Sequence, residues 1–100
     1  MQKVTAICVH DNMKQIYNLS VVTSQGITVE LVRYKKEDKI KPYCYSNFQD
    51  LYKSVLNLLK QNNFYVSKYT AFESDFYNIN FIDMNNPCKI EKYGFKGGRV

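Results

Sequence analysis

Three cysteines, one histidine and the acidic side chains are the groups in this chain that could act as nucleophile, base or metal ligand. A zinc site needs four ligands in close geometry, usually seeded by a pair of Cys or His a few residues apart. Cys8, Cys44 and Cys88 are far apart in sequence, and His10 is the lone His. Cys8 and His10 form an isolated C-x-H on a strand-like stretch and seed a site only if the other cysteines converge on it. Thiol catalysis needs a base beside the sulfur and a third group that orients the base. Asp11 follows His10, but nothing in the spacing brings Cys88, behind its Asn-Asn-Pro turn, to that His. Glu37-Asp38-Lys39 matches the E-x-K half of a metal-dependent nuclease pattern, which works on a strand beside a second acid. Here it sits in a charged connection, and Glu30 and Asp11 lie upstream without supporting spacing. Gly94, Gly97 and Gly98 open no helix, so no phosphate-cradling loop is present. The expectation is a chain with no catalytic residues, no metal and no cofactor.

A different chemistry is better represented. Arg33, Lys35, Lys36, Lys39 and Lys41 are interleaved with Tyr34, Tyr43 and Tyr45. A second stretch holds Lys89, Lys92, Tyr93, Phe95, Lys96 and Arg99. Lysines that track phosphates beside aromatics that stack bases are the ingredients of single-strand or RNA binding. The cations are almost all Lys, which argues against Arg forks reading guanines. The same aromatics serve a second purpose. Tyr supplies contact area at low entropic cost in protein interfaces, and nine Tyr with no Trp is a surplus beyond what one small core requires. Tyr17, Tyr65, Tyr69 and Tyr77 join Tyr34, Tyr43, Tyr45 and Tyr93 as interface candidates.

These groups are positioned by short elements. Residues 3–10 alternate and are rich in β-branched side chains, so they read as a strand. Val4, Ala6 and Cys8 fall on one face and Thr5, Ile7 and Val9 on the other; both are largely apolar, which predicts a central place in a sheet. Residues 14–23 and 27–34 read as a hairpin about Ser24-Gln25-Gly26, with Tyr17, Leu19 and Val21 sharing a face. Tyr43-Cys44-Tyr45 reads as a short edge strand. Ser46 with Gln49 matches a capping box. Phe48, Leu51, Tyr52, Val55, Leu58 and Leu59 then recur on one helical face, and Asn62-Asn63 ends the helix. Residues 64–69, 76–84 and 88–95 read as further strands, with 71–75 as a turn. This order, βββαββ(β), predicts a two-layer α+β domain. A mostly antiparallel sheet of five to six strands carries one amphipathic helix, and the other sheet face stays uncovered.

At 100 residues the chain is of single-domain length. Residues 1–95 read as one domain and 96–100 as a flexible basic tail. Hydrophobic residues make up 45% and charged residues 23%, so the chain is not disordered by composition. The net charge of +5 favours anionic partners. Residues 1–12 hold no apolar signal segment, no run reaches membrane-spanning length, and the odd cysteine count fits free, mostly buried thiols in a reducing cytoplasm. The abundance of Lys, Asn, Ile and Tyr points to an AT-rich genome. The expectation is a small cytoplasmic binding protein of a phage or mobile element that inhibits or modulates a host protein by occupying its surface. That protein would itself handle nucleic acid, and homodimerisation through the uncovered face is a further option. Direct binding of single-stranded DNA, RNA or a nucleotide through the Lys-aromatic patches is the alternative.

Overall fold

The computed structural model describes the backbone of residues 1–35, 37, 39, 43–82 and 90–95, and the side chains of these except 68, 78–82 and 90–95. Strands β1 (Gln2–Asp11), β2 (Ile16–Thr23) and β3 (Thr28–Arg33) precede helix α1 (Phe48–Gln61). Strands β4 (Phe64–Ser74), β5 (Tyr77–Ile82) and β6 (Ile90–Phe95) follow it. They form one six-stranded sheet in the order β3-β2-β1-β4-β5-β6. This is the expected α+β fold with a single helix. Every neighbouring pair is antiparallel except β1 and β4, which run parallel at the centre. That pairing follows from the helical crossover, since a parallel neighbour cannot be reached by a tight turn.

The helix forms because one stripe of it is apolar and buried. Phe48, Leu51, Tyr52, Val55, Leu58 and Leu59 are all buried against the sheet. Each such side chain contributes roughly 1.5–3 kcal/mol when removed from water. The cap differs from the expected one. Asn47, rather than Ser46, takes the extended conformation, and its Oδ1 accepts the Asp50 N–H at 2.9 Å. A capping oxygen accepts from an amide two or three residues on, and Asn47 stands three residues before Asp50. The helix ends as expected, at Asn62, with Asn63 at φ 63°.

Two bulges re-phase the strands. Between Val4 and Ala6 the register of β1 shifts against both neighbours. Val4, Ile7, Val9 and Asp11 therefore point to the helix, while Thr5, Cys8 and His10 are exposed. The simple alternation Val4-Ala6-Cys8 is overturned, because one extra residue sends every later side chain to the opposite face. The segment 71–74 is strand, not turn. Residues 67–70 bulge out opposite Thr5, after which Ala71, Phe72, Glu73 and Ser74 resume the parallel pairing with β1. Thr70 closes this bulge: its buried hydroxyl donates to Val4 O at 2.6 Å and accepts the Ser67 N–H at 2.9 Å.

Beneath α1, Phe48 lies 5.9 Å from Phe72 edge-on and 4.9 Å from Tyr77, and Tyr52 lies 5.8 Å from Phe72. Much of the aromatic surplus is thus core. Residues 43–45 approach β2 through the Gln15–Cys44 bridge, with Tyr45 N–H donating to Lys14 O. The expected basic tail, 96–100, lies outside the described residues.

Candidate functional site

Three features of the described surface carry functional groups. The first is a corner where the β1–β2 turn, the end of β3 and the connector before α1 meet. Asn12 Oδ1 accepts the N–H groups of Lys14 and Gln15 at 3.0 and 2.8 Å, which fixes the turn and leaves Met13 at φ 74°. Ile16 N–H donates to Tyr43 O at 3.2 Å, and Tyr43 itself sits at φ 57°. The Tyr34 and Tyr43 rings are 6.0 Å apart, tilted by 49°. Lys14, Arg33, Lys35 and Lys39, on the segments that meet here, are exposed; Arg33 lies 3.7 Å from Glu30. Tyr17 is half-buried beside this corner, its hydroxyl accepting from Asn12 Nδ2 at 2.9 Å. The structure therefore assembles Arg33, Tyr34, Lys35 and Tyr43, and adds Lys14 and Met13. Lys36 and Lys41 lie outside the described residues.

The second feature is the sheet face opposite α1, on which no described element packs. The register lines up Glu73, Cys8, Ser20 and Glu30 across four strands, and beside them Ala71, Ala6, Val22 and Thr28. Along β4, Tyr65, Tyr69, Ala71 and Glu73 are exposed, alternating with buried Val66, Thr70, Phe72 and Ser74. Tyr69 is 78% exposed and Tyr65 43%. Among the described side chains of this face, carboxylates stand on β4 (Glu73) and on the edge strand β3 (Glu30), and Tyr65 and Tyr69 lie along β4. The face is unlike the stacking platform by which a sheet face reads RNA.

The third feature lies at the C-terminal ends of the parallel pair. Asp11 N–H donates to Asp75 Oδ2 at 3.0 Å, and Asp75 N–H donates to Asp11 Oδ1 at 3.1 Å. The Tyr45 hydroxyl donates to Asp11 Oδ2, and His10 Nδ1 lies 3.2 Å from Asp75 Oδ1. Burial pushes the Asp11 carboxyl above its ordinary range, against the opposing effect of the Tyr45 hydrogen bond. Burial, then the hydrogen bond to Asp11, pushes the Tyr45 hydroxyl up. This cluster ties the connector to the strand ends.

Among the described residues no group of three or more His, Cys, Asp or Glu could hold a metal ion. Cys8 and His10 are successive outward positions of β1, about 7 Å apart along a strand. A nucleophile and its base must approach within roughly 3 Å. A polar groove of about 300 Å³ runs beside α1 between Cys44, Tyr45 and Lys53.

Several expected site residues fall elsewhere. Tyr45 is buried at 6% exposure and bonded to Asp11, so it is a support rather than a contact residue. Tyr77 is half-buried against Phe48 on the helix side. Cys8 and Cys44 are exposed, not buried, because the β1 bulge turns Cys8 outward and the connector lies at the surface. Lys92 and Tyr93 lie on β6, with their side chains outside the description. Lys89, Lys96, Arg99 and Cys88 lie outside it altogether. Sequence reading missed the Asp11–Asp75 pair, since only parallel pairing of β1 with β4 brings these residues together. It also missed the bulge that lifts Tyr69.

No protein-family model, curated protein or solved structure matches the chain. No described helix is long and apolar enough to cross a membrane.

Proposed function

We propose that this chain is a non-enzymatic binding domain that docks a second protein on its uncovered sheet face and modulates that partner by occupying its surface. The observation that carries this reading is Tyr69. It stands 78% exposed on a bulge whose backbone is locked by the Thr70 hydroxyl. Ordered, exposed Tyr is the residue type enriched at interface hot spots. Beside it the face is small and flat (Ala6, Ala71, Cys8, Ser20), which allows close approach. Glu30 and Glu73 select a partner with basic groups at matching spacing and repel a polyanion.

The test compares the wild type with Tyr69→Ala and Ala71→Arg, both at exposed positions. Proteins retained by the wild-type domain from cell extract are identified, and the off-rate of each purified candidate is then measured. A hot-spot Tyr is worth about 2 kcal/mol, a roughly thirty-fold faster dissociation. Ala71→Arg abolishes binding by obstruction. Partners that bind both variants as tightly as the wild type defeat the reading.

A further inference from the structure

We infer that the corner built by Met13, Lys14, Tyr34, Lys35 and Tyr43 is a binding site for a short run of single-stranded nucleic acid. It is made from other residues than the open face and does not depend on the protein-docking reading. One exposed ring, Tyr43, one half-buried ring, Tyr34, and the exposed Lys14 and Lys35 are contributed here by three separate stretches of chain. Tyr34 and Tyr43 face one another at 6.0 Å, and Tyr34 also packs against the core. Tyr43 is 38% exposed and Met13 40%, so apolar surface remains accessible at the ring pair. Lys14 follows Met13 and Lys35 follows Tyr34 in the chain, and both are exposed; Arg33, also exposed, lies 3.7 Å from Glu30. Bases stack on such rings while ammonium groups take the flanking phosphates.

The backbone supports a dedicated surface. Met13 and Tyr43 are non-glycine residues at positive φ, at 74° and 57°, and they sit on adjoining segments. Such conformations persist only where neighbours over-determine them, and cluster at ligand clamps. The neighbours here are specific: Asn12 holds the turn, Ile16 N–H donates to Tyr43 O, and Tyr45 N–H donates to Lys14 O. Tyr45, bonded to Asp11, anchors the connector into the core. Single-stranded chains fit and duplex does not. The stacking surface is a ring pair at a corner, and a paired base has no free face to offer it. Among the described residues the exposed cations of these segments are Lys14, Arg33, Lys35 and Lys39, with Glu30 beside Arg33, so about three or four phosphates are neutralised. For a single strand that sets a log–log salt slope of about −2 to −3.

The experiment is fluorescence anisotropy of the full chain with fluorescein-labelled oligothymidylate of about 12 nucleotides, and with the matching duplex, over a salt series. The expected result is micromolar binding of the single strand at low salt with that shallow slope, and weaker binding of the duplex. Tyr43→Gly removes the ring while relieving the positive-φ strain, so folding is retained. It should weaken binding about five-fold or more, the equivalent of one lost stack. Lys14→Glu should weaken it and flatten the slope. Tyr69→Ala should leave it unchanged, which separates this site from the open face. No binding at low salt overturns the inference. Equal binding by Tyr43→Gly, or duplex bound as tightly as single strand, also overturns it by reducing the effect to net charge. An acidic protein that binds the wild type and not Tyr43→Gly, while the oligonucleotide fails to bind, replaces nucleic acid with a protein partner.

Discussion

Asp11 shows how a residue acquires a role that its neighbours in sequence do not announce. Its carboxylate is buried, yet it receives the Asp75 N–H, the Tyr45 hydroxyl and a Met13 backbone contact. Burial outweighs these donors and the carboxyl pKa rises above its usual 3.8. The folded state therefore holds this proton more tightly than the unfolded chain. The stability linked to it is fully present below pH 3.8 and declines as pH rises through the raised value. Asp11→Asn keeps an oxygen for the Asp75 N–H and removes the buried charge. Urea unfolding of wild type and variant at a series of pH values should converge at the acid end. Above that window the variant should lack the decline that the wild type shows from this group. An unchanged pH profile in Asp11→Asn would mean that the cluster is solvated and does not tie the connector down.

At the scale of elements, α1 is the part most completely written in local sequence, and even its first turn needed the structure. Two polar residues, Ser46 and Asn47, precede the apolar stripe. Only the one with extended backbone three residues before Asp50 can cap. Asn47→Ala should cost about 1 kcal/mol, whereas Ser46→Ala should be nearly neutral, measured by chemical denaturation. The opposite ranking would restore Ser46 as the cap. In β4 the same lesson appears in another form. Residues 71–75 resemble a turn by composition, yet 71–74 are strand because β1 offers a ladder beyond the bulge. Small and polar residues are tolerated there because every second one faces solvent.

For the whole molecule, the sheet order places the early strand β1 between β2 and the late strand β4. Its amides are paired on both sides and covered by the helix. β3 is an edge, with a register shift at Leu31 and charged Glu30 and Arg33 exposed along it, features that discourage edge-to-edge association. Native-state hydrogen exchange should therefore be slowest in β1 and in the facing amides of β2 and β4, and much faster in β3. Equal protection in β3 and β1 would show that another strand covers this edge in solution.

Periodicity and turn chemistry by themselves determined the fold class, the helix and the early hairpin. These depend on interactions within a few residues, which composition and spacing record. They also brought together the corner residues Arg33, Tyr34, Lys35 and Tyr43, since the connector between them is short. The tertiary structure alone decided which face each side chain takes after a bulge, because a single extra residue inverts the alternation and leaves no signature in sequence. It alone paired Asp11 with Asp75, moved Tyr45 and Tyr77 inward, and turned Cys8 and Tyr69 outward. Those outcomes depend on the parallel pairing of strands separated by the whole helical crossover, a contact that no local pattern encodes.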